Sequence, residues 1–258
     1  MLLMEENRRI EFVEGDLLIK TLSGEEELRA SYRLRHQVFA DRLRWVERSS
    51  EEFEIDTYDA FATSVGIFDG KGSLVGVFRM INSEFPFMLE SEFRACLLPH
   101  CRIRKASDTV EITRLAIDPT QANTGLSPRL MQVLFKAVYQ WSMRNDIRYL
   151  YMVVEKRFLR GLRGMGFPCE AVSPAVALPP AEALSIAAVL DWAQFHDTCS
   201  MKQPGFYRWM NAVNGSASYE RSQFVAHDPK VGSCGLKSGQ DLSVDQKTLW
   251  LEQPLAAA

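Results

Sequence analysis

The sequence predicts an α/β fold built on a mixed sheet, and three observations carry that prediction. Two β-rich runs, SVGIF and LVGVFRMI, flank the turn Asp69-Gly70-Lys71-Gly72, the pattern of an antiparallel hairpin. Two further β-rich runs, EITRLAID (residues 111–118) and RYLYMVV, enclose the long helical segment PRLMQVLFKAVYQWSMRN, a strand–helix–strand unit. A helix before the hairpin and another helix and strand after the unit complete an alternating order that belongs to α/β proteins rather than to bundles or sandwiches.

The elements follow in order. Ser23, with Glu26 three residues later, forms a capping-box pattern ahead of EEELRASYRLRHQVFADRLRW, which marks a helix start. Leu28, Tyr32, Val38 and Phe39 share one face of that helix, with Arg35 in the middle of it. After the hairpin and the EITRLAID strand, Ser127 supplies an N-cap and Pro128 an N1 proline for the long helix. RYLYMVV reads as a strand, and KRFLRGLRGMG as a short basic helix ending at Gly164 or Gly166. CEAVSPAV and ALSIAAVLDW read as two more strands, the second also readable as a helix.

Composition bounds the function. The 258 residues are 47% apolar and 24% charged, an ordinary globular balance able to bury a full core without staples. Lys plus Arg number 30 against 33 Asp plus Glu, a formal net charge of −3, which argues against a nucleic-acid binder with its basic surplus. Five cysteines (Cys96, Cys101, Cys169, Cys199, Cys234) form no CxxC pair, and the histidines are scattered, so neither a disulfide framework nor a metal site is expected. The apolar start of MLLMEENRRIEF is too short for a signal h-region, and no run approaches ~18 apolar residues. No membrane span and a reduced, cytoplasmic setting are therefore expected. Beyond residue 212 the chain turns polar and Ser/Gly-rich (NGSASYERSQ, KVGSCGLKSGQDLS), so 213–258 reads as a disordered tail behind one domain of 1–212.

Several residues carry chemistry. A guanidinium cannot be neutralised by losing its proton, so Arg35 on an apolar face needs carboxylate partners. Glu54-Ile55-Asp56-Thr57-Tyr58-Asp59 offers three. Spacing leaves two readings open: acids gathered around a bound cation, or ion pairs that fix the helix on the sheet. In Glu111-Ile112-Thr113-Arg114, alternation puts Glu111 and Thr113 on one face and Arg114 on the other unless a bulge intervenes. With Arg79 at the end of the second hairpin strand, these charges either pair or line a cleft. The loop Gln121-Ala122-Asn123-Thr124-Gly125-Leu126-Ser127 leads into a helix N-terminus, which either receives a phosphate or is simply capped. Lys156, Arg157, Arg160 and Arg163 crowd one short helix, either as a docking patch for an acidic partner or as a solvated face.

Taken in order, these residues resemble the LuxI-type acyl-homoserine lactone synthases, the autoinducer synthases of quorum-sensing bacteria. Arg35, Phe39 and Trp45 in YRLRHQVFADRLRW stand at the family's Arg, Phe and Trp positions. Glu54, Asp56 and Asp59 match its E-x-D-x-Y-D run, and Arg79 in GVFRMI its G-x-x-R position. Phe93 matches the phenylalanine before the central strand; Glu111 and Arg114, with Thr113 as the hydroxyl residue, match E-x-S/T-R. The resemblance covers roughly residues 20–200 and weakens after EITR. Two departures stand out: Leu115 replaces the family's usual aromatic residue, and the polar tail is extra.

The resemblance implies a GNAT-like fold, a mixed, twisted sheet with flanking helices whose central strands EITRLAID and RYLYMVV splay to admit a pantetheine arm. It implies a catalytic domain over 1–212 with S-adenosylmethionine and an acyl thioester as substrates and no permanently bound cofactor. The methionyl amine attacks the thioester, and its carboxylate then displaces methylthioadenosine to close the lactone. In that reading Glu111 and Arg114 are catalytic, Glu111 as general base. Arg35 and Arg114 hold the carboxylate or brace the acids, and Asp56 and Asp59 face the cationic end. Phe39 and Trp45 offer aromatic faces to the sulfonium and adenine, and Arg79, Phe93 and Thr113 complete the substrate-binding set. Met152 stands where a threonine favours 3-oxo chains in the family; it points to unsubstituted acyl groups or is core filler. Lys156, Arg157 and Arg160 suit docking of acyl carrier protein, with acyl-CoA the other candidate donor. The competing expectation is a different GNAT-type N-acyltransferase using acyl-CoA on an unrelated amine, although the usual Q/R-x-x-G-x-G/A phosphate loop is degenerate here. A non-catalytic binding protein on the same fold is disfavoured by the intact Glu111 and Arg114.

Overall fold

The first two strands form a hairpin that the sequence reading does not anticipate. Glu11–Glu14 (β1) and Leu17–Thr21 (β2) pair antiparallel across Gly15, whose φ of +66° suits the tight turn. The computed structural model describes residues 9–124, 127–179 and 183–213. Gly125 and Leu126 of the proposed phosphate loop, and residues 214–258 of the proposed tail, lie outside the described residues.

The anticipated hairpin is Thr63–Phe68 (β3) and Leu74–Asn82 (β4). The Asp69 carboxylate accepts the N–H groups of Lys71 and Ser73, each at 2.9 Å, and closes its turn. Thr109–Ile117 (β5) runs antiparallel to β4 and parallel to Tyr149–Glu155 (β6). ALSIAAVLDW resolves as a strand, Leu184–Asp191 (β9), antiparallel to β6. CEAVSPAV is not one strand but two, Cys169–Ala171 (β7) and Val176–Ala177 (β8). Pro174 lies between them, and its missing N–H suits a break in pairing. The sheet order is β1-β2-β3-β4-β5-β6-β9-β7, with β8 also on β9.

Helix α1 (Glu25–Arg35) starts one residue later than the Ser23/Glu26 pattern proposes. Gly24 is the N-cap with no side-chain cap, and the Ser23 N–H donates instead to Glu27 Oε2 at 3.2 Å. Three acids in its first turn and Arg33 and Arg35 in its last suit the helix dipole. Beyond Arg35 the chain winds as a π-helical turn, His36–Arg42, rather than continuing as α-helix. Ser127–Arg144 (α2) and Lys156–Gly164 (α3) follow the reading. Trp192–Lys202 (α4) and Pro204–Asn211 (α5) are two helices that it omits.

The helices α2 to α5 cover one face of the sheet, packing on Phe78, Met80, Ile112, Leu150 and Leu190. On the other face, Leu34, Val38 and Phe39 pack on Val77 and Ala116, while Phe87, Met88 and Leu89 pack on Ile81, Tyr151 and Val153. One irregularity prepares the site. β5 and β6 pair only at Thr109↔Tyr149, Val110↔Leu150 and Glu111↔Tyr151, although β5 continues to Ile117 and β6 to Glu155. Beyond Glu111 the two central strands splay.

Candidate active site

Register places Arg79 opposite Thr113 and Ile81 opposite Glu111, so Arg79, Thr113 and Glu111 share the face covered by α1. Plain alternation would send Arg114 to the other face, and the structure corrects this. Between Val77↔Ala116 and Arg79↔Thr113, β5 carries one residue more than β4, and Arg114 takes φ +54°. A left-handed non-glycine residue costs roughly 1–2 kcal/mol. The bulge turns Arg114 onto the face it would otherwise avoid.

There it completes a closed ring of alternating charge. Arg35 Nε donates to Glu54 Oε2 at 2.5 Å, and Arg114 Nε and Nη2 donate to Glu54 Oε1 at 3.0 and 2.9 Å. Arg114 Nη2 also reaches Asp56 Oδ2 at 3.0 Å. Arg79 forks onto Asp56, with Nη1 to Oδ1 at 2.6 Å and Nη2 to Oδ2 at 2.9 Å, and Nη1 meets Asp59 Oδ1 at 2.8 Å. Arg35 closes the circuit with a second fork onto Asp59, at 2.6 and 3.0 Å. The Arg79 Nε donates to Thr113 Oγ1 at 3.0 Å, so the hydroxyl of the strand motif orients this guanidinium.

The acids hold one another locally as well. Asp56 accepts the Tyr58 N–H, and Asp59 accepts the Asp56 N–H, both at 2.9 Å, which shapes the turn at Thr57–Ala60. The Glu54 N–H donates to the Tyr32 carbonyl at 3.1 Å and ties this segment to α1. Burial alone would raise these carboxyls. For Asp59 the Arg35 hydrogen bonds and the Arg35 and Arg79 charges outweigh it and bring the carboxyl down to about 2. Glu54 is likewise lowered against burial by Arg114 and Arg35. Burial would lower Arg35, but its Asp59 and Glu54 partners push it further up. Side-chain exposure separates the acids: Glu54 is 6%, Asp59 7% and Asp56 21% exposed.

Phe39 lies between the ring and Trp45, with the Arg114 guanidinium 5.6 Å from its centroid and the Trp45 ring 6.1 Å away. Phe39 is buried and Trp45 half-buried. Phe93 is half-buried against the Phe87–Leu89 cluster. Glu111 is buried, and its carboxylate accepts the N–H groups of Met88 at 2.6 Å and Leu89 at 3.0 Å. Burial pushes its carboxyl up to about 8 against the pull of those two donors and Arg79. The Met88 sulfur lies 3.3 Å from Arg79 Nη2 and 3.6 Å from Arg114 Nη1, so one residue touches both Glu111 and the ring.

Two participants escape the sequence reading. Met88 carries no motif. Tyr58 sits inside the acidic run yet takes no role there; its ring lies 5.7 Å from the Arg79 guanidinium, and its hydroxyl bonds Ser91 at 2.6 Å and also Glu92. Burial first, and Glu92 second, raise that hydroxyl to about 12. Glu54 stood in the motif run but outside the proposed binding set; it links two of the three arginines.

On the opposite face, beneath the splay, lies an apolar cavity of about 30 Å³ whose walls include Leu115, Phe135, Met152, Phe158, Phe167 and Trp192. Met152 and the departure residue Leu115 thus meet at one cavity. Lys156, Arg157 and Arg160 are exposed on α3, with Arg157 paired to Glu155. Arg163 is directed instead to the Cys169 carbonyl at 2.8 Å. Among the described residues no helix is long and apolar enough to cross a membrane, and no group of three or more His, Cys, Asp or Glu side chains could hold a metal ion.

Comparison with known proteins bears on this arrangement. A profile described as autoinducer synthase matches residues 20–196. An acyl-homoserine-lactone synthase of Aeromonas salmonicida is 35% identical over 142 residues, spanning 54% of this chain and 68% of that protein. Another, of Rhizobium radiobacter, is 27% identical over 211 residues, spanning 77% and 97%. Among solved structures, the acyl-homoserine-lactone synthase LasI has a TM-score of 0.59 at 22% identity, covering 68% of this chain and 89% of its own. The CoA-dependent acyl-homoserine lactone synthase BjaI, solved with S-adenosylmethionine and isopentyl-CoA, has a TM-score of 0.58 at 21% identity, covering 69% and 84%. These two share the fold.

Proposed function

The chain belongs to the autoinducer synthase family, and on that premise we propose how its charged ring and its apolar cavity share the work of an acyl-homoserine-lactone synthase. S-adenosylmethionine binds at the ring. It brings a sulfonium, an amine and a carboxylate, so its site needs both signs of charge in a fixed geometry. Asp56, the most exposed ring acid, faces the cationic end, and the Phe39–Trp45 pair supplies aromatic faces. Arg114 meets the carboxylate. Arg35 is fully buried and spent on Glu54 and Asp59, so it braces the acids rather than touching substrate, and Asp59 does the same.

The acyl thioester enters between the splayed ends of β5 and β6, with its chain in the cavity under Leu115 and Met152. Glu111, in its ionised form, takes a proton from the substrate ammonium, directly or through a water, and burial makes that carboxylate a stronger base than an exposed one. The freed amine attacks the thioester carbonyl carbon; the carbon–sulfur bond breaks and the thiol leaves with a proton. A carboxylate oxygen then attacks the methionyl carbon bonded to the sulfonium. That carbon–sulfur bond breaks, its electrons stay on sulfur, and methylthioadenosine leaves as the lactone closes.

For the donor, the exposed Lys156, Arg157 and Arg160 beside the splay favour acyl carrier protein, whose acidic surface they complement. Acyl-CoA is the second reading, favoured by the CoA-dependent relative BjaI. Met152, an apolar residue at the cavity wall, favours unsubstituted acyl groups. Acyl-CoA transfer to an unrelated amine is not favoured, since it leaves the charged ring without a use. The observation that carries the proposal is that ring, set beside Glu111 and across the splayed strands from an apolar cavity. Expression in a bacterium that makes no autoinducer, followed by mass spectrometry of the extract, should yield N-acyl-homoserine lactones. Their absence in a host rich in acyl donors contradicts the proposal.

A further inference from the structure

We propose that helix α5, which lies beyond the segment matched by the family profile, sets the depth of the acyl cavity and so limits the acyl chain length. This rests on reading the cavity as the acyl site.

The family match ends at residue 196, and α5 spans Pro204–Asn211. The cavity wall on β6 runs from Val154 at the splayed end to Leu150, about 13 Å at 3.3 Å per residue. At the Leu150 end the register brings in Leu190 and Cys169 of β9 and β7, and Phe167 and Trp192 complete the closure. The open volume of about 30 Å³ is far below the 150 Å³ or so of an apolar cavity that admits benzene. A chain therefore enters by displacing side chains, and its length depends on how far the closing rings can yield.

Those rings are backed by α4 and α5. Phe167 stacks on Phe195 at 5.4 Å and meets Phe206 edge-on at 5.8 Å; Trp192 meets Phe195 edge-on at 5.4 Å. Phe206 stacks in turn on Trp209 at 5.8 Å. The Trp192 indole N–H is buried without a hydrogen-bond partner among the described residues, so packing alone holds this ring in place. Polar anchors keep α5 from retreating. Trp209 Nε1 donates to Glu14 Oε1 at 3.0 Å, and the buried Lys136 holds Glu14 Oε2 at 2.5 Å. Gln140 Nε2 donates to the Met210 carbonyl at 2.6 Å, and the Tyr139 hydroxyl to Asn211 Oδ1 at 2.8 Å. Three of these anchors come from α2, which also supplies cavity walls at Phe135 and Val138. Phe206 is thus a positioning residue that acts through Phe167.

The test is a competition. Purified full-length protein receives S-adenosylmethionine and an equimolar mixture of butanoyl, octanoyl and dodecanoyl thioesters, and mass spectrometry reads the lactone ratio. Phe206→Ala should raise the dodecanoyl-to-butanoyl product ratio about tenfold, which corresponds to about 1.4 kcal/mol. Trp192→Phe should shift it in the same direction. Phe12→Ala, a core truncation on β1 away from the cavity, should keep the wild-type ratio despite its lower melting temperature. If Phe206→Ala does not stay folded, Phe206→Leu carries the same test with a smaller shift. A folded Phe206 variant with an unchanged ratio overturns the role of α5. Failure of the wild-type protein to make any of the three lactones overturns the acyl-site reading itself.

Discussion

Replacing Glu54 by Gln should unfold the protein more readily than any other conservative change in the site. Glu54 accepts three hydrogen bonds from two buried guanidiniums, at 2.5, 2.9 and 3.0 Å. In the wild type three arginines alternate with three carboxylates. The glutamine leaves three cations against two anions, keeps one acceptor oxygen, and turns an amide N–H₂ group towards a guanidinium. Breaking one member of a buried ion pair costs about 3–5 kcal/mol, because the remaining charge stays buried and uncompensated. At about 2–4 °C per kcal/mol for a domain of this size, the melting temperature should fall by about 6–20 °C. Thermal unfolding followed by circular dichroism, with urea unfolding beside it, measures the loss. A Glu54→Gln protein that melts within about 2 °C of wild type refutes the reasoning, since the ring would then hold nothing together.

Asp56→Asn should do the reverse: a smaller loss of stability, because Asp56 is the most exposed ring acid, and weaker S-adenosylmethionine binding by calorimetry. Unchanged affinity removes Asp56 from the substrate. Glu111→Gln should fold and bind S-adenosylmethionine yet lose acyl transfer. In the wild type, transfer should rise with pH and level off above about 8, where the carboxyl ionises in the folded protein. The unfolded carboxyl ionises near 4.5, so the folded state binds the extra proton between these values and stability falls as pH rises across that window. Glu111→Gln should flatten that slope, and an unchanged slope would contradict the burial argument. Arg157→Glu with Arg160→Glu should slow transfer from acyl carrier protein far more than from acyl-CoA. Equal effects on the two donors refute the docking surface.

The charged ring was legible because a buried guanidinium cannot shed its charge: Arg35 on an apolar face demanded acids, and Glu54, Asp56 and Asp59 were the acids at hand. What periodicity could not supply was the bulge. Alternation sends Arg114 away from Thr113, and one extra residue in β5, with Arg114 at positive φ, brings it back. The π-helical turn at His36–Arg42 escapes a helical wheel for the same reason, as it inserts a residue into the period. The Met88 and Leu89 N–H groups on Glu111 are contacts across more than twenty residues, formed by backbone, and backbone leaves no mark in a side-chain pattern. The β1–β2 hairpin has a signal in FVEGDLLI, where short apolar runs flank a Gly-Asp turn, but each strand is only four or five residues long. Helix α4 carries little amphipathic signal, so FHDTCSMK shows no clear period; α5 is amphipathic, but its eight residues hold only about two turns of that pattern.

The central claim is that one site couples acyl transfer to lactone closure, and product stoichiometry tests it most directly. Purified protein, S-adenosylmethionine and an acyl thioester should release free thiol, N-acyl-homoserine lactone and methylthioadenosine in equal amounts throughout the reaction. Thiol release that leaves S-adenosylmethionine intact, with the acyl group on another amine, would contradict the account.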